Sequence, residues 1–202
     1  MFNQALPSIV FIALTLFTPS TLAVDAACGV VIRPQYFFGI SSTTPTTNTP
    51  LGPLGSPPDT YYNFKVSQTG NGASLSAQND LIAVFNNIPY TPRTLEFTFE
   101  PISDQSFNGY TKVDVFKLTE LPRDANGKPN PTWDNVKGKT GSLVGSFTLN
   151  VGSARQRIRI GDVGTSDWFR VSINDAGFKT GEVGYPQDYA FYTTGLKVRS
   201  GC

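Results

Sequence analysis

An all-β fold, an antiparallel β-sandwich of jelly-roll type, is predicted by three observations on this 202-residue chain. Short segments alternate apolar and polar side chains with period two. Turn formers recur between them, with 19 Gly and 15 Pro. No window sustains the helical period, and the length suits one domain with a real hydrophobic core.

The alternation is clearest in three places. Leu95, Phe97 and Phe99 oppose Thr94, Glu96, Thr98 and Glu100. Phe147, Leu149 and Val151 repeat the pattern, as do Phe169, Val171 and Ile173 against Trp168, Arg170 and Ser172. One apolar face per strand marks a half-buried antiparallel strand. Strands are predicted over 29–33, 61–67, 81–86, 94–100, 112–118, 143–151, 155–160, 168–174 and 189–199. About eight or nine such strands make a sandwich.

The chain opens with an apolar stretch from Pro7 to Leu22 that ends in Thr21-Leu22-Ala23. Small residues at the third and first positions before a cut predict a secretory signal peptide over 1–23, cleaved after Ala23. The n-region carries no Lys or Arg. A signal anchor is the alternative, but the run is short for a span and Pro19 interrupts its end. No later segment is apolar enough to cross a bilayer, and no hydrophobic tail follows Cys202. The expected mature protein is soluble, secreted and extracellular.

Residues 24–40 read as an N-terminal strand segment, and 41–58 as a Ser/Thr/Pro-rich loop that cannot pack a core. That loop is a candidate for O-glycosylation or a stiff extended segment. Residues 59–202 carry the sandwich, in one domain with 24–40. Cys28 and Cys202 are the two cysteines. In an oxidising compartment they predict a disulfide tying the termini, which constrains the unfolded chain by on the order of 5 kcal/mol. An intermolecular bridge is the alternative.

The formal charge of +1 supplies no bulk field for nucleic acid or an anionic membrane. Histidine is absent, which excludes Ser-His-Asp and Cys-His catalysis, His-ligated zinc and histidine-built copper sites. A glycosidase needs only two carboxylates. Glu96 and Glu100 share a strand face but lie about 13 Å apart along it. Asp114 can approach Glu96 across a strand pair, yet both read as outward, solvated positions. Asp124-Ala125-Asn126-Gly127 reads as a tight turn rather than a calcium loop. No catalytic residue, metal ligand or cofactor is expected.

Binding chemistry concentrates in two neighbouring segments. Arg155, Arg157 and Arg159 share the face opposite Ile158 and Ile160, and Trp168 and Arg170 lie opposite Phe169 and Val171. A hairpin closed around Gly161 to Asp167 sets an indole beside guanidinium groups. Indole stacks on a sugar's apolar face, and arginine forks suit carboxylated glycans. The plainer alternative is a strand edge kept soluble by charge. Trp133 is expected to plug the base of its loop, and Tyr185, Tyr189 and Tyr192 to be sandwich aromatics.

Three runs carry a family resemblance: Val113 to Leu118, Pro131-Thr132-Trp133-Asp134-Asn135, and Gly141 to Phe147. Together they resemble DNRLRE-type carbohydrate-binding-like sandwiches, which combine a strand, a T-W-(D/N)-N loop and a G-x-x-V-G-x-F strand. The order of Ala83 to Pro89, Leu95 to Pro101 and Gly195 to Arg199 before Cys202 is similar to a fungal secreted family. That family is named for the ubiquitin-like-protein-binding But C-terminal domain. The resemblance covers roughly Asp80 to Cys202 and departs from the second family in lacking its extra internal cysteines. It implies a β-sandwich that binds glycan or cell wall, in a fungal effector or surface protein. The expected function is therefore a secreted, non-catalytic binder of a polysaccharide or cell-wall component. The alternative is a structural or protein-interaction sandwich that contacts a host or wall protein. A carboxylate-based glycoside hydrolase ranks third.

Overall fold

The computed structural model describes residues 30–53, 62–89, 92–98, 106–150, 155–160, 165–187 and 195–201. The predicted signal peptide and its cleavage after Ala23, both cysteines, Tyr189 and Tyr192 lie outside the described residues. So do positions 99 and 100 and the end of the Ser/Thr/Pro segment.

The chain is all-β, with two antiparallel sheets. The smaller orders β1 (Val30–Ile32), β13 (Gly195–Ser200), β6 (Arg93–Thr98) and β10 (Gln156–Arg159). The larger orders β7 (Ser106–Gly109), β12 (Gly181–Gln187), β4 (Tyr62–Gly70), β5 (Leu75–Phe85), β11 (Asp167–Ile173), β8 (Lys112–Leu118) and β9 (Thr140–Thr148). A further hairpin, β2 (Tyr36–Ser41) and β3 (Asn48–Pro53), joins the larger sheet through β2 and β5. The long β5 takes β4 along its first half and β11 along its second, while β2 covers its other edge.

Alternation explains how the sheets meet. Leu95, Phe97, Ile158, Leu196 and Val198 of the small sheet share one cluster with Phe64, Val66, Ala83, Phe169 and Val171 of the large one. Phe97 sits among the rings of Tyr185 at 4.6 Å, Phe64 at 5.7 Å and Phe147 at 5.7 Å. Polar groups also bridge the sheets. The Gln187 amide on β12 accepts from Leu196 N at 2.9 Å and donates to Leu196 O at 3.2 Å on β13. Gly195 makes this approach possible: its φ is +114°, and a Cβ there meets the Gln187 amide oxygen at 2.2 Å. At another margin the Gln156 side chain bonds both Thr148 N and Thr148 O, standing in for a strand partner between β10 and β9.

The large sheet is covered on its other face as well. Phe38, Ile40, Ile82 and Val84 pack with Leu118, Leu121 and Val136 in a second cluster. Val136 belongs to the short helix α1 (Trp133–Lys137), which Thr132 and Asn135 start with a reciprocal cap. Asp124 makes the tight turn expected of it, its Oδ1 accepting from Asn126 N at 2.8 Å and Lys128 N at 2.9 Å.

Several expectations are corrected. The segment 41–58 is not merely a loop: its described part contains β3, whose Leu51 packs against the main cluster. Pro50 and Pro53 are tolerated because, among the described residues, β3 pairs only with β2, leaving its outer edge free of ladder demands. The expected N-terminal strand segment 24–40 carries β1 and most of β2; strands β3, β7 and β12 were not expected, and β5 begins at Leu75 rather than Leu81.

Candidate functional site

The five residues expected to form one mixed surface are divided between two sheets. β10 pairs with β6, whereas β11 pairs with β5 and β8, so no β10–β11 hairpin forms. The cause is the crossover between layers: Ile158 enters the core from one sheet and Phe169 from the other.

On the small sheet, burying Leu95, Phe97, Ile158, Leu196 and Val198 turns Glu96, Arg157, Arg159, Lys197 and Arg199 to the opposite face. The register sets Arg157, Glu96 and Lys197 in one row, and Arg159, Thr94 and Arg199 in the next. Glu96 Oε2 accepts from Arg157 Nε at 3.0 Å and Arg199 Nε at 2.8 Å. Its Oε1 lies 3.6 Å from Arg155 Nε and 3.4 Å from Lys197 Nζ. Glu96 is thus fully covered rather than solvated, while the Arg155 and Arg157 side chains remain 46% and 34% exposed. Arg159 is exposed too. Burial pushes the Glu96 carboxyl upward, but hydrogen bonds from Arg157 and Arg199 and the charges of Arg199 and Lys197 outweigh it, holding it below the usual range. Burial lowers Lys197, with Glu96 opposing that shift.

On the large sheet, Trp168 and Arg170 point away from the main core and into the second cluster. The Arg170 guanidinium grips Asp80 Oδ2 through Nε at 2.7 Å and Nη2 at 2.6 Å. It also lies 4.8 Å from the centroid of the Trp133 ring. Trp133, as expected, closes its loop onto the sheet. Asp80 is buried, and desolvation pushes its carboxyl up to about 6 against the opposing Arg170 charge. Trp168 is half-buried against the second cluster, its Nε1 enclosed without a hydrogen-bond partner. Its indole is therefore packing material. Trp168→Ala is expected to lower stability by about 2 kcal/mol, and an unchanged denaturation midpoint contradicts that placement.

The carboxylates were misjudged in the same way. Asp114 is 6% exposed and accepts from Ser146 Oγ and Asn174 Nδ2, both at 2.6 Å. It cannot pair across strands with Glu96, because β8 and β6 belong to different sheets. Asp167, expected only to close a turn, is fully buried. Arg93 Nη1 donates to it at 3.0 Å and Lys117 Nζ at 2.6 Å, joining β6 of the small sheet to β11 and β8 of the large one.

No protein-family model matches the chain, and no curated protein matches it. The site therefore rests on its own geometry. Four cations, Arg155, Arg157, Lys197 and Arg199, surround one buried carboxylate, with exposed Arg159 in the next row, in a chain of formal charge +1. Sequence alternation found Arg155, Arg157 and Arg159 but missed Lys197 and Arg199, which one signal points to: Gly195-Leu196-Lys197-Val198-Arg199 has the same period.

Proposed function

We propose that this chain is a secreted, non-catalytic binding protein whose cationic small-sheet face takes an acidic polysaccharide. The observation that carries this reading is the half-open guanidinium cluster over buried Glu96. Glu96 fixes the guanidinium groups in place, so a carboxylated ligand meets forks already ordered. The exposed large apolar side chains among the described residues are Val30 on β1, Leu143 on β9 and Phe178 in the connection from β11 to β12. That scatter favours a glycan over a partner protein that needs a flat apolar patch. Against the hydrolase reading, Asp80 and Asp114 are both buried and held by partners, whereas a glycosidase needs its pair open to substrate.

The resemblance to But C-terminal-domain-like and DNRLRE-type modules supports the same binding assignment and a fungal wall or surface setting. The apolar run ending in Thr21-Leu22-Ala23 supports a signal peptide over 1–23, and the two cysteines of a secreted chain support a Cys28–Cys202 disulfide. Jelly-roll connectivity is supported by successive strands that change sheets, from β5 to β6, β9 to β10, β10 to β11 and β12 to β13. No helix among the described residues is long and apolar enough to cross a membrane.

The direct test is calorimetric titration of mature protein with oligogalacturonate. Arg159→Ala is expected to weaken binding about fivefold, the equivalent of ~1 kcal/mol for one exposed ion pair, with an unchanged denaturation midpoint. Equal affinity for the variant and the parent discards the face as the site.

A further inference from the structure

The β2–β3 hairpin and strands β4 and β5 enclose a groove of about 260 Å³ that the cationic face does not share. Its lining mixes two chemistries. Gly39 and half-buried Leu51 supply carbon surface, and hydroxyls and amides supply the rest.

Internal bonds leave a defined set of polar valences. Ser67 Oγ accepts from Asn79 Nδ2 at 3.0 Å, which leaves the Ser67 hydroxyl proton and the Asn79 carbonyl oxygen. Asn48 Nδ2 donates to Asn130 Oδ1 at 2.7 Å, which leaves the Asn48 oxygen. Thr49 is exposed and its hydroxyl is not engaged. Donors and acceptors therefore stand side by side, as a ligand rich in hydroxyls, each both donor and acceptor, requires. Formal charge is balanced at this groove. Lys65 pairs with Glu182 at 3.1 Å, and buried Asp80 pairs with Arg170.

We propose that this groove binds one neutral pyranose residue, its carbon face against Leu51 and its hydroxyls on Ser67, Asn79, Asn48 and Thr49. The volume admits a single ring rather than a polymer segment. The ligand class rests on the glycan-binding reading, but the site is independent of the cationic face. The two sites lie on different sheets, so one molecule can hold an acidic chain and a neutral sugar end together.

The experiment is an NMR titration of the labelled mature protein with methyl glycosides of glucose, galactose, mannose and N-acetylglucosamine. One of them is expected to shift amides of 39–49, 67 and 79 saturably, without dependence on added salt. Asn79→Ala and Thr49→Val, both at exposed positions, are each expected to weaken that binding about tenfold. Arg159→Ala is expected to leave it unchanged. No saturable shift with any of the four sugars overturns the proposal, and so do shifts confined to the small sheet. If oligogalacturonate still binds when the groove fails, the acidic-glycan reading stands alone; if the groove binds when the cationic face fails, only the acidic ligand is lost.

Discussion

Replacing Arg170 by alanine is expected to cost about 3 to 5 kcal/mol of stability at about pH 8, and clearly less near pH 5. Arg170 holds Asp80 through two contacts and lies against the Trp133 ring, so its loss strands a buried carboxylate beneath the loop that α1 closes. The pH dependence follows from Asp80. Burial has raised its carboxyl from 3.8 to about 6 even with Arg170 beside it. A folded chain that holds the proton more tightly than the unfolded one loses stability as pH rises between about 4 and 6. Without Arg170 the opposing charge is gone, the carboxyl climbs further, and the variant is penalised most where Asp80 must ionise. Urea denaturation at the two pH values measures this. Equal losses at both, or a loss below about 1 kcal/mol at the higher pH, contradict the placement of the pair.

Glu96→Gln is expected to be nearly as severe, at about 3 kcal/mol or more near neutral pH. The amide keeps the shape but leaves Arg155, Arg157, Lys197 and Arg199 facing one another without the charge that gathers them. Two signatures separate this from ordinary core damage. Added salt restores part of the loss, because repulsion among the half-exposed cations is screened. The Glu96 carboxyl lies below its ordinary 4.5, so its contribution is present above that value and is lost as pH falls through the folded-state value. The gap between parent and variant therefore closes in acid. A gap that is insensitive to salt, or persists unchanged in acid, shows that Glu96 acts only by packing.

The sequence made the core strands legible because alternation is a local signal. Leu95, Phe97, Phe169 and Val171 enter the core as period two requires. The same rule failed where both faces are buried. Tyr36–Ser41 runs apolar without alternating because Phe37 serves the main cluster while Phe38 and Ile40 serve the second. β12 was hidden by Gly181, Gly184 and Pro186, which read as turn residues, yet it lies between β4 and β7. For the site, alternation put Arg157 and Trp168 on the correct faces of their own strands but could not say which sheet each strand joins. Strand pairing is a non-local choice, made by which apolar face meets which. Glu96 was misjudged for a related reason: a carboxylate on an outward face is solvated only if no neighbouring strand or loop brings arginine over it.

The most direct test of the central claim is retention of the mature protein on pectin compared with cellulose, chitin and β-glucan, eluted with a salt gradient. Selective retention on pectin that salt reverses is the expected result, with loss of that retention in the Arg157→Ala/Arg159→Ala double variant while the fold persists. Salt-independent retention on a neutral polysaccharide alone, or pectin retention unchanged in the double variant, contradicts it.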